Sequence, residues 1–227
     1  MIRDKIKSEK YFDEFIDYEN SRIKKFSDVL KSIDKSDSEK INQCQLYLSG
    51  FYKNKLAAMY SAGYEKDEIK NVFDLYVKSI PNNKVDSYAD MIDLISLSIL
   101  LDYSEEITIK IINDNKYDDS LINVLSNYIK SNNIDINGKE LNFPEEYGVY
   151  IDILSNSDEE SSISSLQEFL NNEWYALNKD MSWYDSHNNR NNTYFGYWCW
   201  ISAAVIKMKG LTVDCLTECK YLPIDLI

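Results

Sequence analysis

Residues that reverse the chain direction are scarce in this sequence, and this scarcity limits the folds that it can adopt. The 227 residues include six Gly and three Pro. A β-sandwich or β-barrel needs a turn about every dozen residues, and Gly and Pro supply most such turns. With 44% hydrophobic residues, the chain can build a core without disulfide or metal support. The sequence therefore disfavours all-β folds.

Helical periodicity runs through nearly the whole sequence. Apolar residues recur at three- and four-residue steps from Ile2 to Ile33, which predicts one long amphipathic helix. A second helix is expected from Glu39 to Ser61, because Gly63 suits a left-handed C-terminal cap. The stretch from Met91 to Leu101 is very apolar and should form a buried centre. We predict an all-α protein, a multi-helix bundle of roughly nine to ten helices.

A polar stretch marks the best candidate for a domain boundary. Residues 132–143 contain an Asn-Gly pair and many polar side chains, as surface loops do. Pro144 then stands where a helix would begin. The sequence predicts an N-terminal helical domain over residues 1–131, a loop or linker over 132–143 and a C-terminal aromatic-rich helical domain over 144–227. The bundle would then consist of two packed helical subdomains.

Negative charge is concentrated in the middle of the chain. Residues 81–186 contain 21 acidic and 6 basic side chains, a net charge of −15, whereas residues 1–80 have a net charge of +1. An acidic surface repels phosphates and lipid headgroups, so direct nucleic-acid binding and membrane attachment are disfavoured. A basic protein partner is favoured. Solubility alone is the simpler explanation of the same charge.

Carboxylates at predicted helix starts are the candidate contacts with such a partner. The alternative for each of them is that it complements the dipole of its own helix, which requires no partner. The predicted partner-binding residues are Asp118, Asp119, Glu145, Glu146, Asp158, Glu159 and Glu160.

Aromatic residues gather in the last third of the chain, which contains all four Trp. Rings with a polar tip favour burial of the ring and one hydrogen bond at the tip. We therefore predict one structural packing node. Its residues are Trp174, Tyr175, Trp183, Tyr184, His187, Gly196, Tyr197 and Trp198.

A catalytic interpretation of this region is weaker. Asp185 and the single histidine, His187, could form a general-base pair, with Cys199 or a tyrosine as nucleophile or acid. However, no Gly-rich phosphate loop, nucleophile elbow or zinc-protease motif accompanies them. The sequence predicts that the protein is not an enzyme. A small hydrolase-like enzyme using Asp185 and His187 and a non-catalytic adaptor remain the alternatives.

The cysteines do not predict a metal site. Cys215 and Cys219 are four residues apart and could join Cys199 and His187 around zinc, but structural zinc ligands usually come as closely spaced pairs. We expect no metal and no cofactor. Reduced thiols, a charged N-terminus unlike a secretory signal, and apolar runs far shorter than the roughly 20 residues of a membrane span predict a soluble cytoplasmic protein.

Two groups of motifs resemble a known family. The segments Trp174-Tyr175, Trp183 to His187, Tyr194 to Trp198 and Tyr221 to Leu226 look like the C-terminal domain of the PoNi immunity proteins, and Tyr60-Ser61-Ala62-Gly63-Tyr64 is similar to a segment of that family's first domain. The resemblance spans most of the chain. One position departs from it: Ile201 stands where relatives commonly have Glu, which implies either a different toxin or a more apolar helix.

The resemblance implies a function that agrees with the charge distribution. PoNi proteins are bacterial cytosolic inhibitors that protect cells from polymorphic-toxin DNases. A DNase presents Lys and Arg around its cleft, and an acidic inhibitor would complement them. We therefore predict an immunity protein that neutralises a cognate antibacterial nuclease, a basic DNase, by stoichiometric occlusion through an acidic surface. Self-association into a homo-oligomer stays open.

Overall fold

The computed structural model describes residues 1–104, 106–115, 117–136 and 138–227. In these ranges the regular secondary structure is helical, without strands, which confirms the prediction of an all-α multi-helix bundle. The α-helices are α1 Glu9–Ser32, α2 Ser38–Ala62, α3 Lys66–Ser79, α4 Tyr88–Leu100, α5 Glu106–Asn115, α6 Ser120–Ser131, α7 Pro144–Ser155, α8 Glu159–Glu168, α9 Trp174–Leu177 and α10 Trp200–Lys209. A π-helical turn, Phe169–Glu173, joins α8 to α9.

The helix boundaries follow capping signals that are visible in the sequence. The hydroxyl of Ser87 accepts a hydrogen bond from the amide of Asp90 at the start of α4. Pro144 occupies the first turn of α7. Gly63 ends α2 with a φ of 93°, and a Cβ at this position would lie 2.0 Å from the carbonyl oxygen of Met1. Only glycine therefore fits where α2 ends.

The first seven residues depart from the predicted long helix. α1 begins at Glu9, so the expectation that it would start at Ile2 was wrong. The amides of Arg3 and Asp4 instead donate to the carbonyl oxygen of Ser61, at 2.9 and 3.2 Å. These bonds to the end of α2 replace the intrahelical bonds that apolar periodicity alone would predict.

The chain forms two compact units. The first unit contains residues 1–85 and 185–197, and the second contains residues 86–184 and 198–227. The predicted linker, residues 132–143, lies within the second unit. The boundaries between the two compact units thus differ from the predicted domain boundary at residues 132–143. That boundary stays a prediction about domains that fold independently.

The first unit is built on α1, α2 and α3, each packed against the next along the chain. Phe12, Tyr60 and Phe73 are almost completely buried in it. Residues 185–197 belong to this unit through long-range hydrogen bonds. The hydroxyl of Tyr11 donates to the carbonyl oxygen of Tyr194 at 2.9 Å, and that of Tyr194 donates to the carboxylate of Asp4.

The second unit is built around α4, which packs against α5, α6 and α10. Lysines in the last turn of α10 bind the carbonyl ends of two other helices. The ammonium of Lys207 lies 3.0 Å from the carbonyl oxygen of Ile99 and 2.7 Å from Asp102, and that of Lys209 lies 3.0 Å from the carbonyl oxygen of Ile153. A cation at these termini satisfies carbonyl groups that have no intrahelical partner.

Glu19 places a carboxylate inside the first unit. Its side chain on α1 is 1% exposed, and Oε1 lies 2.9 Å from the guanidinium of Arg22, which lies 3.7 Å over the ring of Phe51. Its other oxygen, Oε2, lacks a hydrogen-bond partner within the described ranges. Burial raises the pKa of Glu19 above its usual value near 4.5, despite the opposing effect of Arg22.

This raised pKa predicts the pH dependence of a Glu19→Gln variant. As the pH falls through the raised pKa, Glu19 takes up a proton in the folded protein before it does so in the unfolded chain. This difference increases the free energy of unfolding of the parent. That gain disappears as the pH rises. Because Gln does not titrate, the stability of Glu19→Gln relative to the parent should increase as the pH rises from about 4.5 through the raised pKa of Glu19. Urea unfolding across this range measures the trend. The control is Glu14→Gln, on the same helix and 64% exposed; equal trends for both variants would contradict the prediction.

Candidate partner-binding surface

Asp119 connects three segments of the second unit. Its Oδ1 accepts the amide of Ile122 at 2.9 Å, which caps α6. Its Oδ2 accepts the hydroxyl of Tyr88 at 2.6 Å and the amide of Asn142 at 3.3 Å. The side chain is 0% exposed. Asp119 was predicted to contact the partner, but its carboxylate is buried and holds three hydrogen bonds, so a partner cannot reach it.

Four aromatic side chains gather beside Asp119, a group that the sequence did not predict. The ring centroid of Tyr88 lies 5.5 Å from that of Tyr117, 4.8 Å from that of Phe143 and 5.4 Å from that of Tyr147. We call these four residues the Phe143 cluster. Burial and then the bond to Asp119 raise the pKa of Tyr88, so its phenol stays neutral and donates. The sequence signal for this cluster was Phe143, a large apolar residue directly before Pro144 at the start of α7.

Three carboxylates lie close to members of the Phe143 cluster along the chain. Asp118 is 65% exposed and accepts hydrogen bonds from the side-chain amide of Asn123 and the ammonium of Lys139. Both bonds lower the pKa of Asp118. Glu145 is exposed and Glu146 is half-buried in the first turn of α7, immediately after Phe143. We call Asp118, Glu145 and Glu146 the acidic rim.

The other predicted carboxylates lie at the start of α8. Asp158 is exposed and caps the helix, accepting the amide of Glu160 at 3.2 Å. Glu159 is also exposed, but its carboxylate accepts the amide of Thr212 at 2.7 Å, and this bond lowers its pKa. Glu160 is exposed. Asp158 and Glu159 therefore have structural bonds besides any contact with a partner.

The charge divides between the two units. By sequence, the second unit contains 23 acidic and 8 basic residues, a net charge of −15, whereas the first contains 15 acidic and 17 basic residues, a net charge of +2. Residues 185–197 thus belong to the nearly neutral unit, and the net negative charge of the chain lies in the other.

The residues of the predicted aromatic node belong to both units. In the second unit, Trp174 lies 5.6 Å from Trp183 and 4.9 Å from Tyr221, and Tyr175 lies 4.5 Å from Tyr184, measured between ring centroids. His187, Gly196 and Tyr197 belong to the first unit. Trp174, Gly196 and Tyr197 are buried, while the half-buried members are Tyr175, Trp183, Tyr184, His187 and Trp198. The division follows the hydrogen bonds of residues 185–197, which sequence spacing does not reveal.

The histidine has a structural partner. Nδ1 of His187 lies 2.8 Å from the hydroxyl oxygen of Tyr197, and the amide of His187 donates to the same oxygen at 3.2 Å. Asp185 has a φ of 55° and is exposed. The imidazole nitrogen that faces the protein is thus occupied by a phenol.

The cysteine in this region is a buried thiol. Cys199 is 2% exposed, and its sulfur lies 3.1 Å from the hydroxyl of Tyr150 and 3.0 Å from that of Ser202. Burial raises the pKa of Cys199 to about 11, so the reactive thiolate is scarce at neutral pH. No group of three or more His, Cys, Asp or Glu side chains in the described part of the chain could hold a metal ion.

The motif regions noted in the sequence meet in the first unit. The hydroxyl of Ser61 lies 2.9 Å from the carbonyl oxygen of Phe195. The guanidinium of Arg3 donates to the carbonyl oxygens of Tyr60 and Tyr64, at 3.1 and 2.8 Å. In the second unit, Ile201 is 4% exposed on α10, so this departure from the resemblance lies in the apolar interior.

Two family models match consecutive parts of the chain. Residues 3–113 match the model described as PoNe immunity protein (PoNi), N-terminal, and residues 117–226 match PoNe immunity proteins (PoNi), C-terminal. The chain belongs to the PoNi immunity protein family. PoNi proteins are the immunity proteins of PoNe nuclease toxins, so the cognate partner of this PoNi chain is a nuclease toxin. Comparisons with curated proteins and with solved structures gave no significant match.

The family membership confirms the predicted identity as an immunity protein and favours a binding protein over an enzyme. The two PoNi models meet between residues 113 and 117, within the second unit. In the described ranges of this PoNi chain, no helix is both long and apolar enough to cross a membrane.

Proposed function

We propose that this protein neutralises its cognate nuclease by stoichiometric binding through the acidic second unit, without transforming a substrate. The observation that carries the proposal is the net charge of −15 in that unit against +2 in the first. Exposed carboxylates such as Asp118, Glu145 and Glu160 contribute to this charge.

The chemistry of a nuclease explains why such a unit would bind it. An enzyme that cleaves DNA neutralises phosphates with Lys and Arg, so its substrate cleft is positive. A complementary acidic surface speeds encounter and discriminates against other partners. Binding over the cleft would exclude DNA directly. We therefore propose a basic DNase as the partner and occlusion as the mode of inhibition.

The proposed lack of catalysis is supported by the family membership and by Cys199, the candidate nucleophile, which is a buried thiol with a raised pKa. A direct test is co-expression in bacteria of the cognate nuclease domain, with and without this chain. Survival and intact chromosomes are expected only with the chain, together with a 1:1 complex in solution. Turnover of a small molecule that is lost in His187→Ala would contradict the proposal.

Association with the nuclease domain should weaken as salt increases. If the acidic unit governs encounter, raising ionic strength from about 0.05 M to about 0.5 M should slow association by roughly tenfold or more. Stopped-flow fluorescence with a catalytically inactivated nuclease domain measures the rate. A rate that does not change with salt would count against electrostatic recognition.

Charge reversal should separate association from stability. Glu145→Lys combined with Glu160→Lys should slow association about tenfold and change the melting temperature little, because both side chains are exposed. Glu159 is left intact because its carboxylate binds Thr212. The matched control is Glu14→Lys combined with Asp28→Lys on α1 of the first unit, where both residues are more than half exposed. Equal slowing by both double variants would contradict a role for the second unit.

A further inference from the structure

Exposed apolar side chains are distributed unequally between the units. In the part of the chain that the structure describes, the exposed large hydrophobic residues are Met1, Ile6, Tyr18, Val29, Tyr47, Leu75 and Phe143. All except Phe143 belong to the nearly neutral first unit. Phe143, 44% exposed, is thus the one such side chain of the acidic unit within the described ranges.

Phe143 is held in place by its neighbours. Its ring packs on that of Tyr88, with centroids 4.8 Å apart, and its carbonyl oxygen accepts the amide of Tyr147 at 3.0 Å. The preceding residue, Asn142, donates its amide to the buried carboxylate of Asp119. An exposed ring fixed in this way loses little conformational freedom on binding, which favours affinity.

The surroundings of Phe143 indicate the chemistry of its partner. Protein interfaces commonly place an aromatic anchor at the centre and polar groups around it. Glu145 and Glu146 follow the anchor closely along the chain, and Asp118, which pairs with Lys139, follows Tyr117 of the cluster, so three of these four charged groups are acidic. The matching surface is an apolar pocket bordered by Lys and Arg. A second copy of this chain does not fit, because it would bring together two units that each have a net charge of −15.

We propose that Phe143 anchors the nuclease toxin, with its ring in an apolar pocket on the toxin and the acidic rim facing basic residues around that pocket. The inference rests on the proposed function and names the point of the acidic unit at which the toxin binds. Asp119 and Tyr88 act as positioning residues beneath it. The carboxylates at the start of α8 contribute to encounter, whereas Phe143 determines how long the complex lasts.

Replacing Phe143 tests the anchor. Phe143→Ala should weaken binding to the inactivated nuclease domain by about 30-fold or more, mainly through faster dissociation. The matched control is Leu75→Ala, because Leu75 is 45% exposed but lies in the first unit; its affinity should stay within about twofold of the parent. Phe143→Leu preserves an apolar contact with Tyr88 and should weaken binding by about 5- to 10-fold. Melting curves confirm that each variant is folded.

The outcomes distinguish this inference from the proposed function. Parent-like affinity of a folded Phe143→Ala or Phe143→Leu variant overturns the anchor, while a salt-sensitive 1:1 complex of the parent would still support the acidic unit. Absence of any complex between the parent and the nuclease domain overturns both. A dimer of the free chain that Phe143→Ala dissociates, with unchanged toxin affinity, assigns the ring to self-association and also overturns the inference. Equal weakening by Leu75→Ala and Phe143→Ala does the same.

Discussion

Replacement of Asp119 by Ala should lower the free energy of unfolding by about 3 kcal/mol. The loss has two physical parts. The cap of α6 disappears with the bond to Ile122, and the hydroxyl of Tyr88, which is 6% exposed, loses its charged acceptor inside the unit. A buried donor left without an acceptor costs its full desolvation. Urea denaturation followed by circular dichroism measures the change.

The neighbouring aspartate provides the control for this experiment. Asp118→Ala removes a carboxylate of the same type that is 65% exposed, and its exposed ion pair with Lys139 should contribute little to stability. If the two variants lost equal stability, Asp119 would not connect α4, α6 and the residues before α7 as its contacts indicate. If Phe143 is the anchor, Asp119→Ala should also weaken toxin binding, because Asn142 loses its acceptor.

Replacement of Tyr194 by Ala should destabilise the protein by about 4 kcal/mol. The ring is 1% exposed in the first unit, and its removal leaves a cavity beside Phe12, whose ring centroid is 6.1 Å away. The same change removes the hydroxyl that binds the carboxylate of Asp4. Because Asp4 belongs to the N-terminal segment that binds the end of α2, that segment should lose protection from proteolysis as well.

Two further variants separate the contributions of the Tyr194 ring and hydroxyl. Tyr194→Phe retains the ring and should cost about 2 kcal/mol, the typical contribution of a hydrogen bond to a charged group. Tyr18→Ala removes an aromatic side chain that is 58% exposed in the same unit and should cost less than about 1 kcal/mol. A Tyr194→Ala variant as stable as Tyr18→Ala would show that Tyr194 does not hold residues 185–197 in the first unit.

The contacts indicate different roles for the segment from Tyr60 to Tyr64 and for the acidic residues. The segment from Tyr60 to Tyr64 offers carbonyl groups, a hydroxyl and a glycine to the N-terminal segment and to Phe195, all inside the first unit. Its residues are explained by folding. The residues that we propose for toxin binding belong to the second unit, at loops and helix starts. We therefore expect substitutions between Tyr60 and Tyr64 to change stability rather than toxin choice.

The sequence predicted those features that depend on neighbouring residues. Apolar spacing of three and four residues indicated helices, and the predicted helix-end signals Gly63 and Pro144 lie where the structure has helix ends. Side-chain caps act within one turn, so their effect can be inferred from adjacent residues. Charge could be counted along the chain, and the motifs were sufficient to indicate the family.

Only the tertiary structure decided which residues meet across long separations. Asp118 and Asp119 are adjacent and chemically identical, but one is 65% exposed and the other is buried against Tyr88, which precedes it by 31 residues. The hydroxyl of Tyr194 reaches Asp4, 190 residues away, and so residues 185–197 belong to the first unit. Local periodicity tells which face of a helix is apolar, but the segment that covers that face depends on packing of the whole chain.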